Sequence, residues 1–230
     1  MESVVDLLDR HVYGMSQVDR VLGLPGGTAH RWIDGYDRGG RHYPPVVRLE
    51  TTGSELVTWG EFVEARLLAE YRNAGSPIQR LRAAVEALRG TIHPLYPLAH
   101  ARPFLDVAGR ELVMRVQDDV KLERDLRLVV VRNNQIVLAE RAEQFVDSVE
   151  YDDEVVRRIR PVAGIREVVM DPLRQFGEPV VRSVRTEVIA ELVRAGETVD
   201  GIAETYELTR AQVEAAIRFE LHRAPAVEAA

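Results

Sequence analysis

This 230-residue chain has no cysteine and a single lysine, Lys121, among its 30 basic residues. Without thiols it can build no disulfide framework, thiolate metal site or thiol redox switch. With one lysine, any contact to a phosphate or carboxylate falls to arginine forks. No apolar run approaches the ~18 residues of a membrane span. The polar start, Met1-Glu2-Ser3, does not read as a secretory leader. These absences set the expectation of a cytoplasmic protein that does not engage a membrane. No nucleophile–base pair, Walker loop or dinucleotide fingerprint is visible, so neither an enzyme nor a cofactor is expected. The net charge of −7 excludes a uniformly basic coat for nucleic acid.

What is present is charge segregation. From Arg10 to Arg48 six arginines face three aspartates, and from Glu61 to Arg102 six arginines face four glutamates. From Asp106 to Glu154 the balance reverses to 13 acidic against 7 basic residues. Only the first part suits phosphates. A hydrophobic content of 46% is enough for folded cores.

The most informative stretch runs from Tyr13 to Tyr43. Ser16 can cap a first helix that turns Val18, Val21 and Leu22 inward. Gly23-Leu24-Pro25 stops it. Gly26-Gly27-Thr28 restarts the chain, with Thr28 as cap of a second helix that buries Trp32 and Ile33. This is the helix-turn-helix layout, whose second helix enters the major groove. Ser16, Gln17, Thr28, His30 and Arg31 are the candidate DNA contacts on the helices. Arg38, Arg41 and Tyr43, in the loop Arg38-Gly39-Gly40-Arg41-His42-Tyr43, are the candidate contacts on a backbone-binding wing. Val46 to Leu49 and Leu56-Val57 read as two short strands that complete the wing.

Thr58-Trp59-Gly60-Glu61 is a capping box opening a helix that buries Phe62, Val63, Leu67, Leu68 and Tyr71. Ser76-Pro77 opens another, with Ser as cap. His93 to Leu98 is a proline-rich boundary. Beyond it, Phe104 to Met114 reads as a β-hairpin turning at Ala108-Gly109-Arg110. Leu126 to Leu138 reads as a second hairpin turning at Asn133-Asn134, since Asn tolerates positive φ. The acidic passage around Tyr151 to Glu154 has little periodicity, and Pro161 to Gly164 reads as a linker. Three helices follow, over Thr186 to Ala195, Thr198 to Tyr206 and from the capping box Thr209–Gln212 onward. The first two carry six acids between Glu187 and Glu207 against Arg194. That face repels phosphates and suits a protein partner.

Trp32 and Trp59 read as core residues. His93 and His100 lack the carboxylates that would complete a metal site. Asp118-Asp119 and Asp152-Asp153 read as solvated turns, because adjacent side chains on a strand diverge.

The block Gly60-Glu61-Phe62-Val63-Glu64-Ala65-Arg66, with Tyr71 to Ser76 and Leu81-Arg82, resembles the third and fourth helices of MerR-like winged domains. The stretch Met170-Asp171-Pro172-Leu173-Arg174-Gln175-Phe176-Gly177-Glu178-Pro179, with Arg185-Thr186, Ala195-Gly196, Ile202-Ala203, Tyr206 and Leu208, resembles a small helical domain of unknown function that recurs in antitoxins. Together they resemble a VapB-type antitoxin of the long, two-domain kind. The resemblance implies a VapC-type toxin as partner, a magnesium-dependent PIN-domain ribonuclease, besides operator DNA. Arg218 and Arg223, flanking the last apolar helix, are candidate partner contacts, and a homodimer is expected from palindrome reading. A stand-alone winged-helix regulator without a toxin is the alternative.

The expected fold is α+β and mainly helical. It comprises a winged helix-turn-helix domain over 1–102, a β-hairpin-rich acidic region over 103–160, and a three-helix domain over 161–230.

Overall fold

The computed structural model describes residues 7–223 apart from Ala74, Ser76 and Pro94. The Ser76 cap and the apolar Val4 and Val5 lie outside the described residues. The architecture is α+β, with helices and small antiparallel sheets. The chain divides into two compact units, one up to Arg157 and one from Arg158.

The first unit opens with β1 (His11–Gly14), α1 (Met15–Val21) and α2 (Thr28–Ile33). The two helices lie where the apolar spacing put them, but neither expected cap operates. Helix α1 starts one residue before Ser16, and the Gln17 side chain accepts the Gly14 amide instead. Helix α2 is preceded by Gly27, whose left-handed φ places Thr28 inside the first turn, buried. The capping oxygens come from Asp19 on α1. It accepts the Gly27 amide at 2.6 Å and the Ala29 amide at 2.7 Å.

A hairpin follows at once: β2 (Tyr36–Arg38) pairs with β3 (Arg41–Tyr43), so that Arg38 opposes Arg41. Gly39 and Gly40, at φ of +59° and +73°, form its two-residue turn. Val46 to Leu49 is not a strand, correcting the expected second pair. The Val46 and Val47 amides donate to the Trp32 carbonyl at 2.8 and 3.0 Å, closing the end of α2. The other expected strand exists as β4 (Leu56–Thr58) but pairs antiparallel with β1, His11 opposite Thr58 and Gly14 opposite Leu56.

Thr58 and Glu61 form the expected capping box of α3 (Trp59–Asn73). Trp59 is fully buried, and its indole donates to the Val156 carbonyl at 2.8 Å. Tyr71 donates to the Arg127 carbonyl at 2.9 Å. The helix α4 (Arg82–Arg89) follows a 3₁₀ turn over Ile78–Leu81.

The expected hairpin over Phe104 to Met114 is helical instead: α5 (Arg102–Leu105) and α6 (Val107–Asp119). Asp106 caps α6, accepting the Ala108 and Gly109 amides at 3.3 and 3.2 Å. Gly109 does not make a turn. It lets the two helices approach, because a Cβ there would collide with the Arg102 carbonyl. The second hairpin is present as β5 (Val129–Arg132) and β6 (Gln135–Leu138), with Asn133 and Asn134 at positive φ. Gln117 of α6, fully buried, pins it by accepting the Leu128 and Val129 amides and donating to the Val129 carbonyl. The acidic passage resolves into α7 (Glu140–Ser148) and the strand pair β7 (Val149–Asp152) and β8 (Val155–Ile159).

The second unit holds a three-stranded sheet, β9 (Val168–Val169), β10 (Val180–Val181) and β11 (Val184–Arg185), with β10 central. The helices α8 (Thr186–Arg194), α9 (Val199–Thr205) and α10 (Arg210–Arg223) follow. Thr209 and Gln212 form the expected capping box of α10. Val168, Val181, Ile189, Ile202, Val213 and Phe219 form the shared core of sheet and helices.

Candidate nucleic-acid and partner interfaces

The candidate DNA residues fall into two groups. On the helices, Arg31 is exposed and its guanidinium donates to the Thr28 hydroxyl at 3.0 Å. His30 is half-buried and Ser16 is exposed. Gln17 accepts the Gly14 amide, and the buried Thr28 accepts from Arg31. On the hairpin, Arg38 and Arg41 are exposed and directly opposite. Arg41 lies over the Tyr43 ring, 5.4 Å from its centroid. Tyr43 in turn stacks on Tyr36 at 4.7 Å with the rings 4° from parallel. The two tyrosines form a rigid platform that holds the Arg41 guanidinium at the hairpin surface. Asp37 and His42, opposite each other, pair at 3.0 Å.

The segment after the hairpin builds a buried polar network that the sequence pattern did not reveal. Arg48 donates to Glu61 at 2.7 Å through Nε and to Asp34 at 2.7 Å through a terminal nitrogen. It also reaches Thr52, the Ser54 carbonyl and the Leu56 carbonyl. Asp34 accepts the Thr52 and Gly53 amides at 2.8 Å each. Burial pushes the Asp34 carboxyl up, but the bonds from Thr52, Arg48 and Gly53 outweigh it and hold its pKa below the ordinary value. Burial likewise works against the Arg48 charge, and Glu61 and Asp34 more than compensate. The network ties the end of α2, the irregular segment after the hairpin and the start of α3 into one frame.

A second buried acid sits on α3. Glu64 accepts the Leu98 amide at 2.9 Å through one oxygen, and the other has no hydrogen-bond partner. Burial raises its pKa to about 8, against smaller opposing effects of Leu98 and Arg89. His93 and His100 do meet, stacking with ring centroids 4.5 Å apart. The His93 Nδ1 accepts the Leu95 and Tyr96 amides, so it acts as a turn cap. Among the described residues no group of three His, Asp or Glu is placed to hold a metal ion. Nor is any helix among them long and apolar enough to cross a membrane.

In the second unit Arg218 is exposed on α10. Arg223 is folded onto its own helix, 5.3 Å from the Phe219 ring centroid and 3.3 Å from Glu220.

Two helices leading into an arginine-bearing hairpin, with a β-sheet and helix unit later in the chain, define an α+β class with matches among known proteins. Residues 168–219 match a family described as "Protein of unknown function (DUF433)". The uncharacterized protein Rv2308 of Mycobacterium tuberculosis is 39% identical over 226 residues, covering 94% of this chain and 93% of that protein. "Putative antitoxin VapB45" of the same organism is 30% identical over 229 residues, covering 91% and 93%. The X-ray crystal structure of Rv2018 from M. tuberculosis superposes with a TM-score of 0.74 at 28% identity, covering 91% of this chain and 99% of that one. The chain belongs to the family of Rv2308 and the VapB45 antitoxin-like protein.

Proposed function

We propose that the protein is the antitoxin of a type II toxin–antitoxin module. In this reading residues 11–58 act as a winged helix-turn-helix. Arg31 and His30 on α2 read base edges, and Arg38 and Arg41 on the hairpin hold phosphates. Tyr43 supports Arg41, while Ser16 and Gln17 sit at the start of the helix that crosses the backbone. The protein acts as a cytoplasmic homodimer on operator DNA and neutralises a VapC-type PIN-domain ribonuclease through its second half, residues 103–230. Arg218 is the candidate contact there, with Arg223 as its neighbour. The observation that carries the reading is the placement of Arg31, Arg38 and Arg41. All three are exposed within eleven residues of each other, on a helix whose end is tied through Asp34 to Arg48 and on the hairpin that follows it, in a chain related to a protein named as an antitoxin.

The test uses the whole chain. Residues beyond Arg102 carry hydrogen bonds to Trp59 and Tyr71, so a fragment ending there would lose them. The full protein is titrated against the DNA upstream of its own gene at several salt concentrations. In parallel it is co-expressed with the product of the reading frame adjacent to its gene, which is itself assayed for ribonuclease activity and toxicity. Salt-sensitive, sequence-specific binding together with restored growth supports the reading. DNA binding without rescue favours a stand-alone regulator, and absence of DNA binding at low salt removes the DNA half of the proposal.

A further inference from the structure

The loop between β9 and β10 carries a residue that folding alone does not explain. Phe176 is 74% exposed, and its backbone sits at φ 54°, ψ 34°. Its neighbour Gln175 is also left-handed, at φ 46°. Left-handed backbone is costly for any residue with a Cβ, and a bulky one there is a rare outlier. Burial of a side chain can offset such a cost, yet the Phe176 ring gains little burial.

The loop is nevertheless firmly built. Asp171, fully buried, accepts Arg158 Nε and the Leu173 amide at 2.9 Å each. Arg174 donates to the Arg182 carbonyl at 3.3 Å, and Gln175 donates to the Ser183 carbonyl at 3.2 Å. The Gly177 and Glu178 amides return to the Arg174 and Gln175 carbonyls at 2.9 and 3.1 Å. These bonds fasten the loop to the β10–β11 turn and hold the aromatic ring outward. Leu173 beside it is 39% exposed.

We propose that this loop is a protein-docking site, with Phe176 as the anchor that enters an apolar, carboxylate-rimmed pocket on the partner ribonuclease. The proposal rests on the antitoxin reading above. Exposed aromatic residues on rigid backbone, flanked by arginine, are the side chains that dominate protein interfaces, and strain held at an exposed site marks function. Charge selects the pocket. Between Arg158 and Arg185 there are six arginines against Glu167, Asp171 and Glu178, and Asp171 is already buried against Arg158. Arg174 on this loop, and Arg182 and Arg185 on the β10–β11 turn and strand to which it is fastened, are exposed; Arg182 also donates to the Glu207 carbonyl at 2.6 Å. A partner surface with carboxylates around an apolar centre complements them. A nucleic acid fits less well, because the helices that follow carry eight acids against four arginines between Glu187 and Arg223, and Leu173 offers no stacking face.

The test compares the full chain with Phe176→Gly, Phe176→Asn and Arg182→Glu. Gly and Asn both accept the left-handed backbone, so neither strains the loop. The probe is the VapC-type ribonuclease that the antitoxin reading requires, made non-toxic by substitution of one active-site carboxylate, titrated by calorimetry. The expected result is at least tenfold weaker binding for each variant, with a Tm no lower than wild type for the two Phe176 variants and unchanged affinity for upstream DNA. Equal ribonuclease binding by wild type and variants overturns the docking site while leaving the antitoxin reading intact. Loss of DNA affinity in the Phe176 variants, with ribonuclease binding retained, overturns it in favour of a nucleic-acid contact. If wild type itself does not bind the ribonuclease, the antitoxin reading fails and takes this proposal with it.

Discussion

The Asp19 carboxylate accepts the Ala29 amide at 2.7 Å across ten residues of chain, and with the Gly27 amide it closes the start of α2. An acid at a helix start satisfies orphan amides and meets the positive end of the helix dipole. Here it also fixes the angle between α1 and α2, because it belongs to the other helix. Asp19→Ala is expected to cost about 2 kcal/mol of stability, read as a lower urea midpoint. DNA affinity should fall with it even though Asp19 is buried. A variant of unchanged stability would show that the cap carries no energy.

Arg48 is the hub of the frame that joins the end of α2 to the start of α3. Removing one member of a buried ion pair costs about 3–5 kcal/mol, because the remaining charges stay buried without a partner. Arg48→Met strands Asp34 and Glu61 together and is expected to destabilise at that level. Asp34→Asn should cost less, since its one remaining oxygen can still accept the Thr52 amide, while the Gly53 amide, which bonds the other oxygen, loses its acceptor. Chemical denaturation of the three proteins side by side checks the order.

Glu64 makes stability depend on pH. Its pKa is about 8 in the folded chain, against an ordinary value of 4.5. Between those values the folded state holds a proton that the unfolded state has lost. Stability therefore falls as pH rises across that window, and the contribution is complete only below it. Glu64→Gln is expected to flatten the dependence and to be more stable than wild type at pH 9. His100 acts at the acidic end. Burial and the neighbouring His93 lower its pKa to about 4 from 6.5, so stability falls as pH drops from 6.5 towards 4. Thermal melts at pH 4, 5, 7 and 9 separate the two effects.

Arg31 and Arg41 are expected to fail differently. Arg31→Ala should cost about 1–3 kcal/mol on the cognate sequence and relax specificity at one position. Arg41→Ala should weaken all sequences alike and reduce the salt slope by about one. Tyr36→Ala, which removes the platform under Tyr43, should resemble Arg41→Ala with a smaller loss. Fluorescence anisotropy against cognate and scrambled duplexes at three salt concentrations distinguishes these outcomes. If Arg31→Ala and Arg41→Ala give the same pattern, the division of roles is wrong.

The oligomeric state provides a further check. Light scattering of the intact chain is expected to give twice the 25.9 kDa chain mass, as two-fold reading of a palindrome requires. A clean monomer at micromolar concentration would contradict it.

The features legible in the sequence are those whose partners lie within a few residues. Thr58 and Glu61, Thr209 and Gln212, Gly39 with Gly40, and Asn133 with Asn134 each encode a cap or turn in their own chemistry. The apolar spacing of α1 and α2 showed which faces turn inward. Other features waited on the tertiary structure because their partners are distant in sequence. Ala108-Gly109-Arg110 has the composition of a turn, but the approach of α5 makes Gly109 a packing residue, and Asp106 converts the segment to helix. Leu56 to Thr58 has the pattern of a strand, and only the fold gives it β1 rather than Val46 to Leu49 as its mate. Asp19 and Arg48 enter the sequence only in its charge balance, Arg48 among the arginines of the basic part, and their roles wait until the chain brings amides, Asp34 and Glu61 to them. Phe176 read as part of a family-like motif, and only its backbone angles and exposure set it apart. Local chemistry decided the elements, and long-range contact decided which charges are buried, which strands pair and which aromatic ring is left facing outward.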